Sequence, residues 1–482
     1  MARRLHGPPA TCARGISRSG QERHRKFRPQ TWPVGGRCPY RRRGFRGFAH
    51  GHVSGRAGER LMADAPYLVA LNLTERCNLS CAHCYLDARH LRDGGRDELS
   101  TDDLKRILGE IAQVGPEAMV VLTGGEPTLR PDLPVLAKHA SDLGLMVVVG
   151  TNGMSLTPAR VHDLQDNGVA GIGISVDSLS AQTHDDFRGL DGAWARTMAG
   201  IDACKAADMP FQIHFSATED TAGEIDDMVA FARDMGAMVL NVFFMVCTGR
   251  GETYSGISAE KYDHVLRRVA HAAKAEQRLM VRAKCAPHFK RIAIEMDPDW
   301  PITAAHGYDA GGCIAATHYA RVTPNGDVTP CPYMDNSAGS LKTQDFATIW
   351  HDAPVLNALR APRLEGRCGA CEFQQLCGGC RARALAESGN MMGEDSLCTY
   401  QPQGGGVITP MMPDTGAMNW AADAELHIAR VPGFVRRMVR RRAEDYVRSQ
   451  GRSEVTRADL TLLAKKRFGD AGPPAFVKKG RG

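Results

Sequence analysis

The chain has 482 residues, of which 43% are hydrophobic, so it is long enough to bury the cores of two or three domains. No apolar run reaches the roughly 18 to 20 residues that a membrane-spanning helix requires, and no secretory signal pattern opens the sequence. The composition therefore predicts a cytoplasmic protein. Fifteen cysteines in a reducing compartment indicate metal sites rather than disulfides, although Cys12, Cys38, Cys204 and Cys247 are interpreted as ordinary thiols.

Residues 1–61 differ from the rest of the chain in charge and composition. They carry 15 Lys and Arg against two acidic residues, a balance of +13 within a total of +6, which leaves −7 for residues 62–482. The segment is rich in Arg, Gly and Pro and lacks apolar periodicity, which is typical of disorder. A transit peptide or a nucleic-acid-binding arm would fit this composition. We favour a third interpretation, in which translation begins at Met62.

Short β-rich runs alternate with helical patterns from residue 67 onward, as in successive parallel βα units. The predicted strands are residues 67–74, 118–124, 145–152, 171–177, 211–218 and 237–246. The predicted helices are residues 101–113, 131–143, 157–167, 193–207, 221–235 and 259–277. Six units predict an α/β fold, a partial (β/α)6 barrel of the TIM type over residues 62–280, with its chemistry at the carboxyl ends of the strands.

Three cysteines, Cys77, Cys81 and Cys84, follow the first predicted strand on one short loop. Soft thiolates favour iron–sulfur centres, and three of them can hold three irons of a [4Fe–4S] cluster while the fourth iron stays open. The alternative is a structural zinc site, but zinc usually takes paired CxxC knuckles and four ligands. The spacing therefore favours an iron–sulfur centre whose open iron binds a small chelating molecule.

A Gly-Gly-Glu-Pro loop at residues 124–127 follows the second predicted strand, one βα unit after the cysteine triplet. The triplet, this loop and the six units together resemble the radical S-adenosylmethionine (SAM) superfamily. The resemblance implies that SAM chelates the open iron and is cleaved reductively to a 5′-deoxyadenosyl radical. It places the Gly-Gly-Glu-Pro loop at the methionine amino group and two later residues at the ribose. The implied SAM-binding residues are Gly124, Gly125, Glu126, Pro127, Asn152, Ser175 and Asp177.

One departure from the family pattern is His83, within the triplet, where many members carry an aromatic residue. A lone His beside a metal loop is more often a packing residue than a ligand. We therefore interpret His83 as a packing residue and not as an iron ligand.

A second group of cysteines lies in residues 281–400, and its spacing resembles the SPASM extension of radical SAM enzymes, which holds two auxiliary [4Fe–4S] clusters. The resemblance implies that auxiliary site I consists of Cys313, Cys331 and Cys380, with Cys285 as a candidate fourth ligand. It implies that auxiliary site II consists of Cys368, Cys371, Cys377 and Cys398. The CGGC pair is one residue shorter than the family pattern, which leaves the pairing around Cys380 open. A structural zinc knuckle is the alternative.

A hairpin is predicted around Asn325-Gly326, a strong two-residue turn signal. The turn would bring Cys331 near Cys313, because it reverses the chain between them.

Residues 401–418 form a predicted linker, because their Gly and Pro content is incompatible with regular structure. Residues 419–470 predict three short helices, a small all-α domain with Val455-Thr456 capping the last helix. This segment resembles the small carboxy-terminal domain on a subunit of dark-operative protochlorophyllide reductase, which points to tetrapyrroles. We interpret its basic residues as a solvated face and expect no nucleic-acid partner.

The barrel with residues 243–251 and 284–289 resembles SPASM enzymes that trim haem precursors, in d1-type haem formation or the sirohaem-dependent route. The resemblance implies a radical SAM oxidoreductase or lyase that modifies side chains of a tetrapyrrole and is reduced by flavodoxin or ferredoxin. Arg250, Arg282 and Lys284 are candidate partners of substrate carboxylates. Two alternatives are a SPASM maturase that modifies a ribosomal peptide and a non-catalytic iron–sulfur electron carrier.

Overall fold

The computed structural model describes residues 65–86, 88–90, 97–253, 256–300, 312–408, 418–431 and 433–468. The predictions made for residues 1–61 lie outside this part of the chain, as do residues 409–417 of the predicted linker. Among the described residues, no helix combines the length and the apolar character that crossing a bilayer requires.

In the part of the chain that the structure describes, ten strands form one sheet and four more form two short pairs. In chain order the strands are β1 (Leu68–Asn72), β2 (Arg76–Cys77), β3 (Arg89–His90), β4 (Met119–Thr123), β5 (Met146–Thr151), β6 (Val169–Ser175), β7 (Phe211–Ala217), β8 (Val239–Phe244), β9 (Met280–Lys284), β10 (Tyr319–Val322), β11 (Asp327–Thr329), β12 (Gly339–Ser340), β13 (Asn419–Trp420) and β14 (Glu454–Val455). The order in the sheet is β12-β11-β10-β1-β4-β5-β6-β7-β8-β9. In this order, every neighbouring pair from β10 to β9 is parallel, whereas β11 pairs antiparallel with both β10 and β12.

Helices follow most of these strands; those of the barrel pack against the sheet, and the last three form a separate small domain. The helices are α1 (Thr101–Val114), α2 (Leu133–Asp142), α3 (Pro158–Asp166), α4 (Ala181–Arg188), α5 (Ala193–Ala206), α6 (Ile225–Asp234), α7 (Ala259–Ala275), α8 (Phe289–Met296), α9 (Phe346–Asp352), α10 (Pro354–Arg360), α11 (Gly366–Ala370), α12 (Arg381–Ser388), α13 (Ala422–Ala429), α14 (Gly433–Ser449) and α15 (Arg457–Phe468). The six predicted βα units and the three carboxy-terminal helices are confirmed. The strand β9, the short strands β2, β3, β12, β13 and β14, and the helices α4 and α8 to α12 were not predicted.

The local sequence explains the elements that position the site. Every residue of β1 is buried, as expected for a parallel strand covered on both faces. The helix α1 begins with a capping box, in which the Ser100 side chain accepts the Asp103 N–H and the Asp103 carboxylate accepts the Ser100 N–H. Such caps satisfy main-chain donors that the first helical turn leaves without partners.

One apolar core joins the barrel to the cysteine-rich region that follows it. Side chains from β1, such as Val69 and Leu71, belong to the same buried cluster as Ala320, Trp350 and Ala382. The small helical domain has a core of its own, built from Ala424, Ile428, Ala443, Val447, Val455 and Leu460. Cys380 belongs to the core shared with the barrel and Cys285, Cys313 and Cys331 pack against it, whereas Cys377 lies in a separate small cluster with Phe373 and Leu376.

Candidate metal centres and active site

The loop that follows β1 carries the cysteine triplet at the carboxyl end of the parallel strands. Cys77 and Cys81 are buried and Cys84 is half-buried. The three sulfurs lie close enough together to interact electrostatically. Burial is the main factor that raises the pKa of Cys77 to about 12, so a metal that binds here must replace a proton.

The segment after β8 fixes this loop from the opposite side. Arg250 Nε donates to the Cys81 carbonyl oxygen at 3.0 Å, and its Nη1 donates to the Ala88 carbonyl oxygen at 2.9 Å. Gly249 has φ of 59°, and a Cβ there would lie 2.5 Å from the Cys84 carbonyl oxygen. Arg250 was predicted as a partner of substrate carboxylates. That contact stays a prediction, and in the structure the guanidinium binds main-chain carbonyls of the cysteine loop.

The Gly-Gly-Glu-Pro loop is joined to the cysteine loop through main-chain contacts. The Gly125 N–H donates to the Thr74 carbonyl oxygen at 2.7 Å, and the Glu126 N–H donates to the Arg76 carbonyl oxygen at 2.8 Å. A Cβ at Gly125 would lie 2.2 Å from the Arg76 carbonyl oxygen, so only glycine permits this approach. The two sequence motifs therefore form one structural unit.

The Glu126 carboxylate is fully buried and satisfied within the protein. It accepts hydrogen bonds from the Thr151 hydroxyl at 2.7 Å, from the Asn152 N–H at 2.9 Å, and from the hydroxyl and N–H of Thr128. The Asn152 side chain in turn donates to the Asn78 side-chain oxygen at 2.7 Å. These bonds connect β5 to the cysteine loop. Because they occupy the buried Glu126 carboxylate, we expect the Gly-Gly-Glu-Pro loop to contact SAM through its main chain.

Ser175 ends β6, and Asp177 follows it at the same edge of the sheet. The Asp177 carboxylate is buried, forms an ion pair with Arg188 and accepts the Ser216 N–H at 3.1 Å. Burial is the largest single influence on Asp177 and acts to raise its pKa. The guanidinium of Arg188, the two histidines His83 and His184 and the hydrogen bond from Ser216 together outweigh burial and lower the pKa. The ribose contact implied for Asp177 stays a prediction, and the structure gives its carboxylate a partner that the sequence analysis missed.

The His83 ring stacks on Phe187, with 4.2 Å between ring centroids and an interplanar angle of 7°. Burial is the main factor that lowers the pKa of His83 to about 4, so the ring is neutral near pH 7. Its packing role is confirmed.

The four thiols of auxiliary site I come from separate elements and approach one another. Cys285 follows β9, Cys331 follows β11, and Cys380 immediately precedes α12. All four, Cys313 included, lie close enough to interact electrostatically. The predicted hairpin is confirmed by the antiparallel pairing of β10 and β11.

Auxiliary site II is a pocket, partly open to solvent, that is lined by Cys368, Cys371, Cys377 and Cys398. Gly378 and Gly379 both have left-handed φ, of 65° and 67°. This turn directs Cys377 to site II and Cys380 to the thiols of site I, which agrees with the predicted grouping. Within the described residues, no three Cys, His, Asp or Glu side chains are placed to hold a single metal ion.

A buried ion pair connects the two auxiliary sites. Both Asp395 oxygens accept from Arg383 Nη1 at 2.8 Å, and Asp395 also accepts the Cys380 N–H at 2.6 Å. Arg383 Nη2 donates to the Cys285 carbonyl oxygen at 2.9 Å, while Asp395 lines the pocket of site II. Burial is the largest single influence on Asp395 and acts to raise its pKa, but Arg383, His288 and the Cys380 N–H together outweigh it, and the pKa is about 2.

Three family models match the chain. The radical SAM superfamily matches residues 71–232, an iron–sulfur cluster-binding domain (SPASM) matches 313–372, and the proto-chlorophyllide reductase 57 kD subunit matches 420–463. The chain is also 40% identical over 347 residues to the AdoMet-dependent heme synthase of Methanosarcina barkeri, which covers 71% of this chain and 98% of that relative. The chain belongs to the radical SAM superfamily.

Other relatives of this radical SAM enzyme differ in the substrates that their names state. The pre-heme d1 synthase of Dinoroseobacter shibae is 31% identical over 362 residues, which cover 69% of this chain and 85% of the relative. The PqqA peptide cyclase of Rhizobium meliloti is 28% identical over 349 residues, which cover 70% and 88%. The crystal structure of Streptococcus suis SuiB bound to SAM has a TM-score of 0.57 at 19% identity, covering 71% of this chain and 79% of SuiB, which shows a shared fold.

The radical SAM enzyme uses [4Fe–4S] clusters and SAM, the cofactors of its two iron–sulfur domains. The residues present fit iron–sulfur clusters, because N–H groups donate hydrogen bonds to cysteine sulfurs in the triplet and in auxiliary site II. Arg188 donates to Cys81 Sγ at 3.6 Å and the Ala88 N–H to Cys84 Sγ at 3.4 Å. In site II the Phe373 N–H donates to Cys371 Sγ at 3.4 Å. Hydrogen bonds to ligand sulfurs are among the features that set cluster potentials.

Proposed function

We propose that this radical SAM enzyme modifies a carboxylate-bearing side chain of a tetrapyrrole. One observation carries the proposal, the 40% identity to a heme synthase that is matched over 98% of its length. The bound cluster and SAM supply a 5′-deoxyadenosyl radical, which is the reactive species.

The chain itself positions and shields this chemistry. We assign Cys77, Cys81 and Cys84 as the ligands of the SAM-binding cluster, since they meet on one loop at the carboxyl ends of the strands. Burial of Cys77 and Cys81 excludes water from the cluster side of the site. Arg250 and the Gly-Gly-Glu-Pro loop hold this arrangement through main-chain contacts.

SAM contacts are assigned to the loops around the cysteine triplet. The main chain of residues 124–127 and the side chains of Asn152 and Ser175 lie at the ends of β4, β5 and β6. Parallel strands bring these ends to one edge of the sheet, where small ligands bind.

The edge strand β9 supplies basic groups for substrate carboxylates. Arg282 and Lys284 alternate with apolar neighbours along β9 and so share one face. Lys284 acts electrostatically on the buried His214, whose ring crosses Gly173 of β6 so closely that a Cβ there would lie 2.6 Å from it. We propose Arg282 and Lys284 as partners of the propionates or acetates of a tetrapyrrole.

Two groups of auxiliary cysteines complete the assignment. We assign Cys285, Cys313, Cys331 and Cys380 to one cluster, and Cys368, Cys371, Cys377 and Cys398 to a second. Flavodoxin or ferredoxin is the proposed electron donor, in the cytoplasm, where thiols remain reduced.

The test is anaerobic incubation of the reconstituted protein with SAM and dithionite. We expect 5′-deoxyadenosine to accumulate, and Cys77→Ala, Cys81→Ala and Cys84→Ala to abolish it. A propionate-bearing iron porphyrin should lose mass at a side chain in the same reaction. Intact clusters without 5′-deoxyadenosine would instead support an electron carrier.

The peptide maturase is the second candidate, supported by the 28% identity to a peptide cyclase. It predicts turnover of a short precursor peptide and none of a porphyrin. Competition between the two substrates in the same assay separates these outcomes.

A further inference from the structure

A cationic side chain lies buried against one of the three cysteines assigned to the SAM-binding cluster. Arg188 is the last residue of α4, and its side chain is 8% exposed. Its Nη1 lies 3.6 Å from Cys81 Sγ, within hydrogen-bond distance for sulfur. Cys81 is buried as well, so solvent screens this contact weakly.

A carboxylate holds the guanidinium in this position. The other terminal nitrogen of Arg188 pairs with Asp177, which is 1% exposed. Asp177 is fixed in turn by the Ser216 N–H of β7 at 3.1 Å, and its own N–H donates to His184 Nδ1 at 3.2 Å. The guanidinium is therefore placed between a ligand sulfur and a counter-charge by β6, β7 and α4.

We propose that Arg188 and Asp177 are positioning residues that set the reduction potential of the SAM-binding cluster through Cys81 Sγ. This inference depends on the proposed assignment of Cys77, Cys81 and Cys84 as its ligands. Neither residue touches the iron in this scheme, and both act through the sulfur.

The direction of each effect follows from charge. One-electron reduction of a cluster adds negative charge, which a cationic N–H donor at a ligand sulfur stabilises. Removal of Arg188 should therefore lower the potential. Removal of the Asp177 charge leaves the guanidinium without its counter-charge, which should raise the potential. The two substitutions are expected to shift it in opposite directions.

The experiment is an EPR-monitored redox titration of the reconstituted full-length protein without SAM. The signal of this cluster is the difference between each protein and the same protein carrying Cys77→Ala, Cys81→Ala and Cys84→Ala. At the parental midpoint, we expect Arg188→Met to lower the ratio of reduced to oxidised cluster about tenfold, or about 59 mV for one electron. We expect Asp177→Asn to raise the ratio by a similar factor, and Arg188→Lys to give a smaller decrease.

Lys138→Met is the matched control, because it removes a cation from an exposed ion pair on α2 and should leave the potential unchanged. Iron content is measured for every variant, so that a lost cluster is not taken for a shifted one. If Arg188→Met does not assemble, Arg188→Lys and Asp177→Asn still give opposite predictions.

Unchanged potentials in iron-replete Arg188 variants would overturn the proposal, as would a shift of Asp177→Asn in the same direction as Arg188→Met. Failure of the ligand assignment gives a different result: the EPR signal is the same with and without the three cysteines, so that no difference signal remains. The proposed activity is tested separately by 5′-deoxyadenosine formation in the unsubstituted protein.

Discussion

Arg250 is a residue whose role only the fold reveals. The sequence places it more than 160 residues after the cysteine triplet, as one basic residue among many near a predicted strand end. Its guanidinium binds the carbonyl oxygens of Cys81 and Ala88 and so stabilises the conformation of the loop. The cysteine triplet could be recognised from its spacing in the sequence. Its contact with Arg250 could not, because that contact forms only when the segment after β8 folds against the loop after β1.

We expect Arg250→Ala to reduce the iron bound at the triplet and the formation of 5′-deoxyadenosine. The substitution removes charged donors from partly buried carbonyls, at a cost of about 1 to 3 kcal/mol. Iron content and thermal unfolding measure the effect. Arg160→Ala is the control, because Arg160 donates to the Ser155 carbonyl oxygen on an exposed surface. Equal iron contents in the two variants would contradict this role.

His83 offers a second test at the scale of one side chain. Within the described residues, its Nδ1 is buried without a hydrogen-bond partner, and its ring stacks on Phe187. We expect His83→Phe to keep the stacking, remove an unsatisfied polar atom and stabilise the protein by up to about 1 kcal/mol. His83→Ala should destabilise it. Loss of the cluster in His83→Phe, measured by iron content, would show that His83 is a ligand after all.

At the scale of elements, strongly patterned segments were predictable and short polar ones were not. The six barrel strands are rich in Val, Ile and Leu, and their burial explains why the sequence pattern found them. The missed strand β9, Met280–Lys284, contains Arg282 and Lys284 and has one fully buried position. β9 is stabilised by pairing with β8, an interaction that the local sequence of β9 does not specify.

The stability of the amino-terminal end of α15 is expected to depend on pH. The Asp459 carboxylate accepts the Thr456 N–H at 2.9 Å and the Thr456 hydroxyl at 2.7 Å, and it pairs with Arg452. Burial acts to raise the pKa of Asp459, but the hydrogen bonds from Arg452 and Thr456 outweigh it and lower the pKa. Its stabilising contribution is therefore complete above the ordinary carboxyl pKa of about 4 and is lost as pH falls through the lowered value.

We expect Asp459→Asn to destabilise α15 by about 0.5 to 2 kcal/mol at neutral pH, as loss of a helix cap does. Amide hydrogen exchange of residues 457–468 measures this, and the protection should fall below pH 4 in the parent but not in the variant. Asp445→Asn, at an exposed carboxylate on α14, should leave that protection unchanged. A parent without acid sensitivity in α15 would contradict the argument.

For the whole molecule, the sequence predicts a barrel and a separate cysteine-rich region, whereas in the structure these two regions pack together. β10 pairs in parallel with β1, and buried side chains from both regions share one core. The resemblance to the SPASM extension was enough to propose which cysteines belong to each auxiliary site. The contacts that connect the two sites could not be predicted, because Arg383 and Asp395 form no recognisable motif and meet only after α12 and the following loop fold back.

This connection makes the two auxiliary sites dependent on one carboxylate. Asp395 is fully buried, accepts the Cys380 N–H of site I and lines the pocket of site II. Asp395→Asn would leave the buried Arg383 guanidinium without a counter-charge, a change that typically costs about 3 to 5 kcal/mol. Since Arg383 also holds the Cys285 carbonyl, we expect iron to be lost from both auxiliary sites together.

Iron stoichiometry and Mössbauer spectra measure that loss, and the iron held by the cysteine triplet should remain. Glu394→Gln is the matched control at the adjacent position, because Glu394 also lines the site II pocket but pairs with the half-exposed Arg367. That variant should perturb site II alone. A substituted Asp395 protein that loses one auxiliary cluster and keeps the other would show that the sites assemble independently, since only a shared buried charge predicts their joint loss.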